Sequence, residues 1–286
     1  MTGEQGADMD IEIRQGLAEA RALAAGHWRA LAAYTGMGVL VPFLLLSSEP
    51  IFDLRTIMAL VVNTYGTYVS GSITGPLYLL GIVSVIVAGT MFAAWNAILA
   101  EFREGYISEI MYGMVAGAAY LIVNILLYAG IGVIATLPIL LTIGIAEWNA
   151  LAGSLADGAY RLVLVVLGTW IEARLCLTGA IMGAGGRLNP FPAIAESWRA
   201  TGQAQGRLFG FYLALGTLFG LAVGGLILVH GAVIWNNAQA PGSALEMAMS
   251  FAWVLLFAAY FLAKILVAAG FLRAARPRAA AAEVFA

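Results

Sequence analysis

Long uncharged apolar stretches alternate with short polar connections along most of the chain, a pattern that predicts helices crossing a membrane. A hydrocarbon core about 30 Å thick needs roughly 20 apolar residues at 1.5 Å rise each. Stretches at 31–48, 76–100, 110–137, 208–229 and 247–271 meet or nearly meet that requirement, the last with Lys264 inside it. A further stretch, 160–182, holds Arg161 at its edge and Glu172 and Arg174 within, and is still long enough to cross. The expected fold is therefore an all-α polytopic membrane bundle. Six transmembrane helices occupy 31–272, with a cytoplasmic arm at 1–30 and a cytoplasmic tail at 273–286.

Helices are also expected outside the spans. Ahead of span one, Ile13, Leu17, Ala20, Ala24, Trp28 and Leu31 recur at intervals of three or four and make one apolar face opposite Glu12, Glu19 and Arg29. Such a helix either lies along the membrane with Trp28 at headgroup depth or packs on the bundle as a lead-in. Ahead of span five, Asn189-Pro190-Phe191-Pro192 opens a second amphipathic helix running to about Thr201. Its Ser197-Trp198-Arg199-Ala200 echoes His27-Trp28-Arg29-Ala30, and each echo precedes a span running outward, as a parallel duplication would leave them. The shorter stretches 56–70 and 139–146 read as interfacial or partly embedded helices. Pro138 is expected to end span three, because its ring removes a backbone donor and clashes with the preceding turn.

Charge then gives direction. With six spans, Arg14, Arg21, Arg29, Arg103, Arg174, Arg187, Arg199, Arg207, Lys264, Arg273, Arg276 and Arg278 share one side, and only Arg55 and Arg161 fall on the other. Basic residues favour cytoplasmic loops, so both ends are expected in the cytoplasm. Counting 56–70 as a seventh span would destroy this asymmetry.

Composition narrows the classes of function. Apolar residues make up 62% and charged residues 10% of the chain, against roughly 45–50% and 25% in soluble domains, so one membrane domain is expected. The net charge of −2 and the lack of a basic run argue against nucleic acid as a partner. Cys176 alone precludes an intrachain disulfide, and with His27 and His230 it is too few for a zinc site, so no metal or cofactor is expected. His230 reads as an interfacial residue near the outer surface. The acidic arm, with Glu4, Asp8, Asp10, Glu12 and Glu19, does not read as a cleavable signal peptide. Gly183 to Gly186 reads as a helix end and a turn, because no strand precedes it and no Gly-Lys-Ser/Thr follows.

The stretch from Ile171-Glu172-Ala173-Arg174 through Asn189-Pro190-Phe191-Pro192-Ala193-Ile194-Ala195-Glu196-Ser197-Trp198-Arg199-Ala200-Thr201 resembles a bacterial six-span family. That family includes the membrane domain of glycerophosphoryl diester phosphodiesterases and the YciC-like inner-membrane proteins. Its members carry an arginine in span four, then an amphipathic helix of the pattern A-x-x-x-S-W-x-x-T-x-G. Ala193, Ser197, Trp198 and Thr201 match it, Gly202 falls one place early, and Arg174 is the upstream arginine. The resemblance implies a membrane domain without the phosphodiesterase's catalytic part, since no soluble barrel and no His/Glu/Asp cluster for a divalent metal is found here.

Charges inside spans are costly, roughly 2.5 to 3.5 kcal/mol at a helix centre, which makes Glu172, Arg174 and Lys264 the candidate functional or packing charges. Glu172 and Arg174 point about 200° apart around a helix, so neither serves the other as a partner. Glu172 with Lys264, or Arg174 with Glu101 or Glu109, are the pairs on offer. They form either packing salt bridges or an ion or lipid-headgroup site. Asn63, Asn96, Asn124 and Thr169 are placed to hydrogen-bond between helices, and the glycine ladder Gly206, Gly210, Gly216, Gly220, Gly224 predicts a tight helix contact in span five; Gly113 and Gly117 show the same four-residue spacing without enough length to predict one.

No constellation suggests an acid and a base, or a serine beside a histidine, so no enzyme is expected. The leading expectation is a non-enzymatic membrane protein that assists or organises lipid, envelope or membrane-protein components. Its partners would be membrane lipids and a possible membrane protein, with Ser197, Trp198, Arg199 and Thr201 as a surface motif. The alternative is a transporter of small solutes or lipids that uses Glu172 and Arg174 in mid-membrane.

Overall fold

The computed structural model describes residues 11–47, 74–101, 105–151, 153–236 and 244–275. Within them every regular element is helical. Helix α1 (Ile13–Gly26) leads into span one, built from α2 (Trp28–Thr35), a π-helical turn (Gly36–Leu40) and α3 (Val41–Ser47). Span two is α4 (Thr74–Leu99) and span three is α5 (Tyr106–Ile143), followed by the short α6 (Ile145–Ala150). Span four consists of α7 (Leu155–Leu175) and α8 (Thr178–Gly185). The connector α9 (Pro190–Ala200) then leads to span five, α10 (Gln205–Asn236), and span six is α11 (Ala244–Ala275). Six of these units are long and apolar enough to cross a membrane, so the chain is an all-α multi-pass membrane protein. The expected helix at 56–70, Asn63 and the tail beyond Ala275 lie outside the described residues.

Span three does not stop at Pro138. It runs on to Gly144, whose φ of +83° ends the helix, and the first half of the stretch 139–146 belongs to it rather than to an interfacial helix. Proline's fixed φ suits a helix. Losing one hydrogen bond there costs less than leaving a whole turn of backbone unpaired in an apolar medium. The Thr142 hydroxyl donates back to the carbonyls of Pro138 (3.0 Å) and Ile139 (2.8 Å).

Glycine decides which helices touch. A Cβ on Gly113 would stand 2.3 Å from the Gly89 carbonyl oxygen, and one on Gly117 would stand 2.6 Å from the Gly89 nitrogen, so spans two and three cross backbone to backbone. Gly270 meets the backbone of Gly16 and Ala20 in the same way, which lays α1 along the end of span six as a packed lead-in helix, with Gly16, Ala20 and Leu23 buried. The tight contact expected of the span-five ladder is absent among the described residues. Gly206, Gly210, Gly216, Gly220 and Gly224 have no atom within 4 Å of where a Cβ would sit. Four-residue spacing creates a small face, but only a partner helix turns it into a contact.

The spans pack closely at the end that carries α1 and α9, and expose their far halves. Leu23, Tyr34, Phe92, Trp95, Leu177, Met182, Leu208 and Phe271 are all buried at that end, whereas Ile134 and Leu141 of span three, Leu155 of span four and Leu228 of span five are exposed. His230 is an exception to this and a correction to the sequence reading. It is fully buried rather than interfacial, because the Trp253 indole N–H of span six donates to its Nδ1 at 3.0 Å. Asn96 does bond across helices, donating to the Gly183 carbonyl (3.0 Å), while Thr169 bonds back to Val165 of its own helix (2.8 Å).

Candidate functional site

Span four is interrupted where its charges lie, at Cys176 and Leu177, between α7 and α8. On the far side of the break, α8 presses Gly179 and Gly183 onto the Trp95 ring and backbone of span two, and the Trp95 indole donates to the Ile265 carbonyl of span six (3.0 Å). The near part, α7, leans instead on span five. Gly186, at φ +60°, closes α8, and the Arg187 amide returns to the Met182 carbonyl (3.0 Å), the left-handed ending that glycine allows.

Glu172 and Arg174 diverge around α7 and find separate partners. Glu172 forms an ion pair with Lys264 of span six, one of the pairs available from sequence. The Lys264 ammonium also lies 5.4 Å from the centroid of the buried Tyr212 ring and 6.0 Å from that of Tyr260, so the pair is framed by aromatic rings from spans five and six. Arg174 takes neither glutamate offered to it. Its guanidinium lies over the Trp198 ring at 4.3 Å, and Glu109 is buried in a hydrogen bond from the Tyr34 hydroxyl of span one.

The break is held by α9. Ser197 Oγ donates to the Arg174 carbonyl (2.8 Å) and accepts from the Leu177 amide (3.3 Å), while Thr201 Oγ1 donates to Ser197 O (2.8 Å) and approaches Arg174 O (3.2 Å). The surface role read for this motif is thus corrected for two of its members. Ser197 and Thr201 are fully buried, because the interrupted span leaves an amide and a carbonyl that must find partners inside the protein. Trp198 and Arg199 remain exposed, and Arg199 bonds to its own helix at Ala195 O (3.3 Å). Asn189 caps the start of α9 through Phe191 N (3.1 Å), and Arg187, just ahead of the helix, pairs with Glu196 within it (2.8 Å).

Next to the ion pair, on the side away from α9, lies an apolar cavity of about 420 Å³. Span one contributes Gly38 and Phe43, span two Val87 and Met91, and span six Trp253 and Phe261, with Ile227 reaching in from span five and Lys264 at the margin. The π-helical turn shapes this wall. It brings Gly38 against the Thr90 hydroxyl and the Phe261 ring, where a Cβ would stand within 2.6 Å of both. An extra residue in one helical turn widens the helix and re-aims the side chains beyond it. The volume is that of a ligand pocket, and its lining offers a ligand hydrocarbon contact almost exclusively.

Sequence reasoning identified the charges but missed the cavity, the aromatic frame of Tyr212 and Tyr260, and the Tyr34 to Glu109 bond. No periodicity marks a π-turn, and these residues look like ordinary span-filling side chains. Among the described residues no three His, Cys, Asp or Glu side chains gather closely enough to hold a metal ion. No protein-family model, no curated protein and no solved structure matches the chain.

Proposed function

We propose that this chain is a non-enzymatic, multi-pass protein of the bacterial inner membrane that binds membrane lipid and thereby organises lipid, envelope or membrane-protein components. The observation that carries this reading is the apolar cavity between spans one, two, five and six, bordered by Gly38, Val87, Ile227, Trp253 and Phe261. Such a space, lined with hydrocarbon and set among helices whose far halves are exposed, suits an acyl chain rather than a polar solute. Both termini are assigned to the cytoplasm on the twelve-to-two bias of basic residues, and the end packed with α1 and α9 is then the cytoplasmic one. The likeness of the α9 segment to YciC-like inner-membrane proteins supports the same assignment.

Filling the cavity tests the reading. Val87→Phe places a ring in the space from span two. Native mass spectrometry of the purified protein should then show fewer retained lipids than in wild type at equal thermal stability. Equal lipid retention in the two proteins would refute it. Transport of a small solute or lipid is the second reading, favoured by the interruption at Cys176 and Leu177 beside the Glu172–Lys264 pair, since broken helices line the midplane sites of many transporters. It requires proteoliposome flux that disappears in Glu172→Gln.

A further inference from the structure

Arg174 has an aromatic floor, an open edge and, among the described residues, no acid partner. Its guanidinium lies over Trp198, and the Trp170 ring, one turn earlier on the same helix, meets Trp198 edge to face at 5.7 Å. Stacking occupies the face of the guanidinium and leaves its donors in the ring plane, pointing sideways. The Nε hydrogen finds no acceptor among the described residues, and the terminal nitrogens come to the surface beside exposed Gly202, where even a Cβ would approach Nη1 to 3.3 Å. The nearby carboxylates are committed elsewhere, Glu172 to Lys264 and Glu196 to Arg187.

A guanidinium placed beside the interruption of a span, without a counter-ion among the described residues, is expensive in a membrane. The chemistry that relieves it is a planar or tetrahedral oxyanion offering two oxygens to the fork. Trp170 and Trp198 are each more than a third exposed, and half-exposed indoles of this kind sit where headgroups meet hydrocarbon. We infer that Arg174, floored by Trp198 and flanked by Trp170 and Gly202, binds the phosphate group of an anionic phospholipid. The inference goes beyond the lipid-chain reading, because it uses different residues on the other side of span four.

The test uses delipidated full-length protein and native mass spectrometry with phosphatidylglycerol, a diacylglycerol of the same chains, and inorganic phosphate. Wild type should retain one phosphatidylglycerol and not the diacylglycerol. Arg174→Gln should weaken that retention roughly tenfold or more, the scale of a lost charge-assisted hydrogen bond, with Arg174→Lys between the two. Persistence of the bound phosphatidylglycerol in millimolar phosphate assigns the site to a lipid headgroup. Its displacement assigns the same fork to free phosphate and overturns the lipid assignment. Phosphatidylglycerol retention unchanged in Arg174→Gln overturns the inference. Should that variant fail to fold, Gly202→Val, which keeps the charge and covers its open edge, takes its place: reduced retention supports the site and wild-type retention overturns it. Val87→Phe serves as the separating control, since the Arg174 dependence should survive in it even if the cavity binds nothing.

Discussion

The same substitution made at two glycines should have opposite consequences, and the difference measures the backbone crossing of spans two and three. In Gly113→Ala the new methyl would sit 2.3 Å from the Gly89 carbonyl oxygen and 2.7 Å from the Ala93 nitrogen, where ordinary contact begins at 3.4 Å. Both obstacles are backbone, so no rotamer change relieves them and the two helices must part by about 1 Å, loosening every contact along the crossing. Overpacking of this kind costs about 1–3 kcal/mol. In Gly220→Ala of span five the methyl meets no described residue within 4 Å, and the helix gains up to about 1 kcal/mol because alanine is the better helix former. That intrinsic gain is common to both sites and cancels in the comparison. Unfolding each variant in mixed micelles should therefore place Gly113→Ala about 1–3 kcal/mol below Gly220→Ala, toward the upper end because the clash is with backbone. Equal midpoints for the two variants would refute the reasoning, and so would a destabilised Gly220→Ala, which would show that the ladder of span five has a partner after all.

Three more perturbations address the broken span and its ties. Glu172→Gln and Lys264→Met should each lower stability by roughly 1–3 kcal/mol, below the cost for a fully buried pair because both side chains keep some exposure. The double variant should recover most of the loss, and a double as unstable as the sum of the singles would show that the two groups do not act as a pair. Ser197→Ala strips the Leu177 amide of its acceptor, so hydrogen exchange at Leu177 should accelerate and stability should fall by about 1–3 kcal/mol. Unchanged exchange there would mean that α9 does not hold the break. Trp95→Phe leaves the Ile265 carbonyl without the indole donor that joins spans two and six. It should cost at least about 1 kcal/mol in a melt, whereas a neutral result would deny that tie any energetic role.

Much of the architecture was legible because a membrane imposes a length and a polarity that can be counted residue by residue. Six apolar stretches, the helix at Asn189-Pro190, and the divergence of Glu172 from Arg174 all follow from spacing along one helix. The pairing of Glu172 with Lys264 was on offer among several, and only the approach of spans four and six selected it. What spacing could not supply was the identity of the surface each helix meets. Gly113 and Gly216 look alike in sequence, yet one is jammed against a backbone and the other is open. His230 reads as interfacial from its position, yet it is buried and takes a donor from Trp253 of another span. Ser197 and Thr201 read as members of a surface motif, whereas the interruption at Cys176 turns them inward to satisfy an amide and a carbonyl. Pro138 likewise signalled an end that the backbone, with no water to replace its hydrogen bonds, did not take. Periodicity is local and short-ranged, so the chain alone determined which helices exist, while contacts between residues far apart in sequence decided what each helix face does.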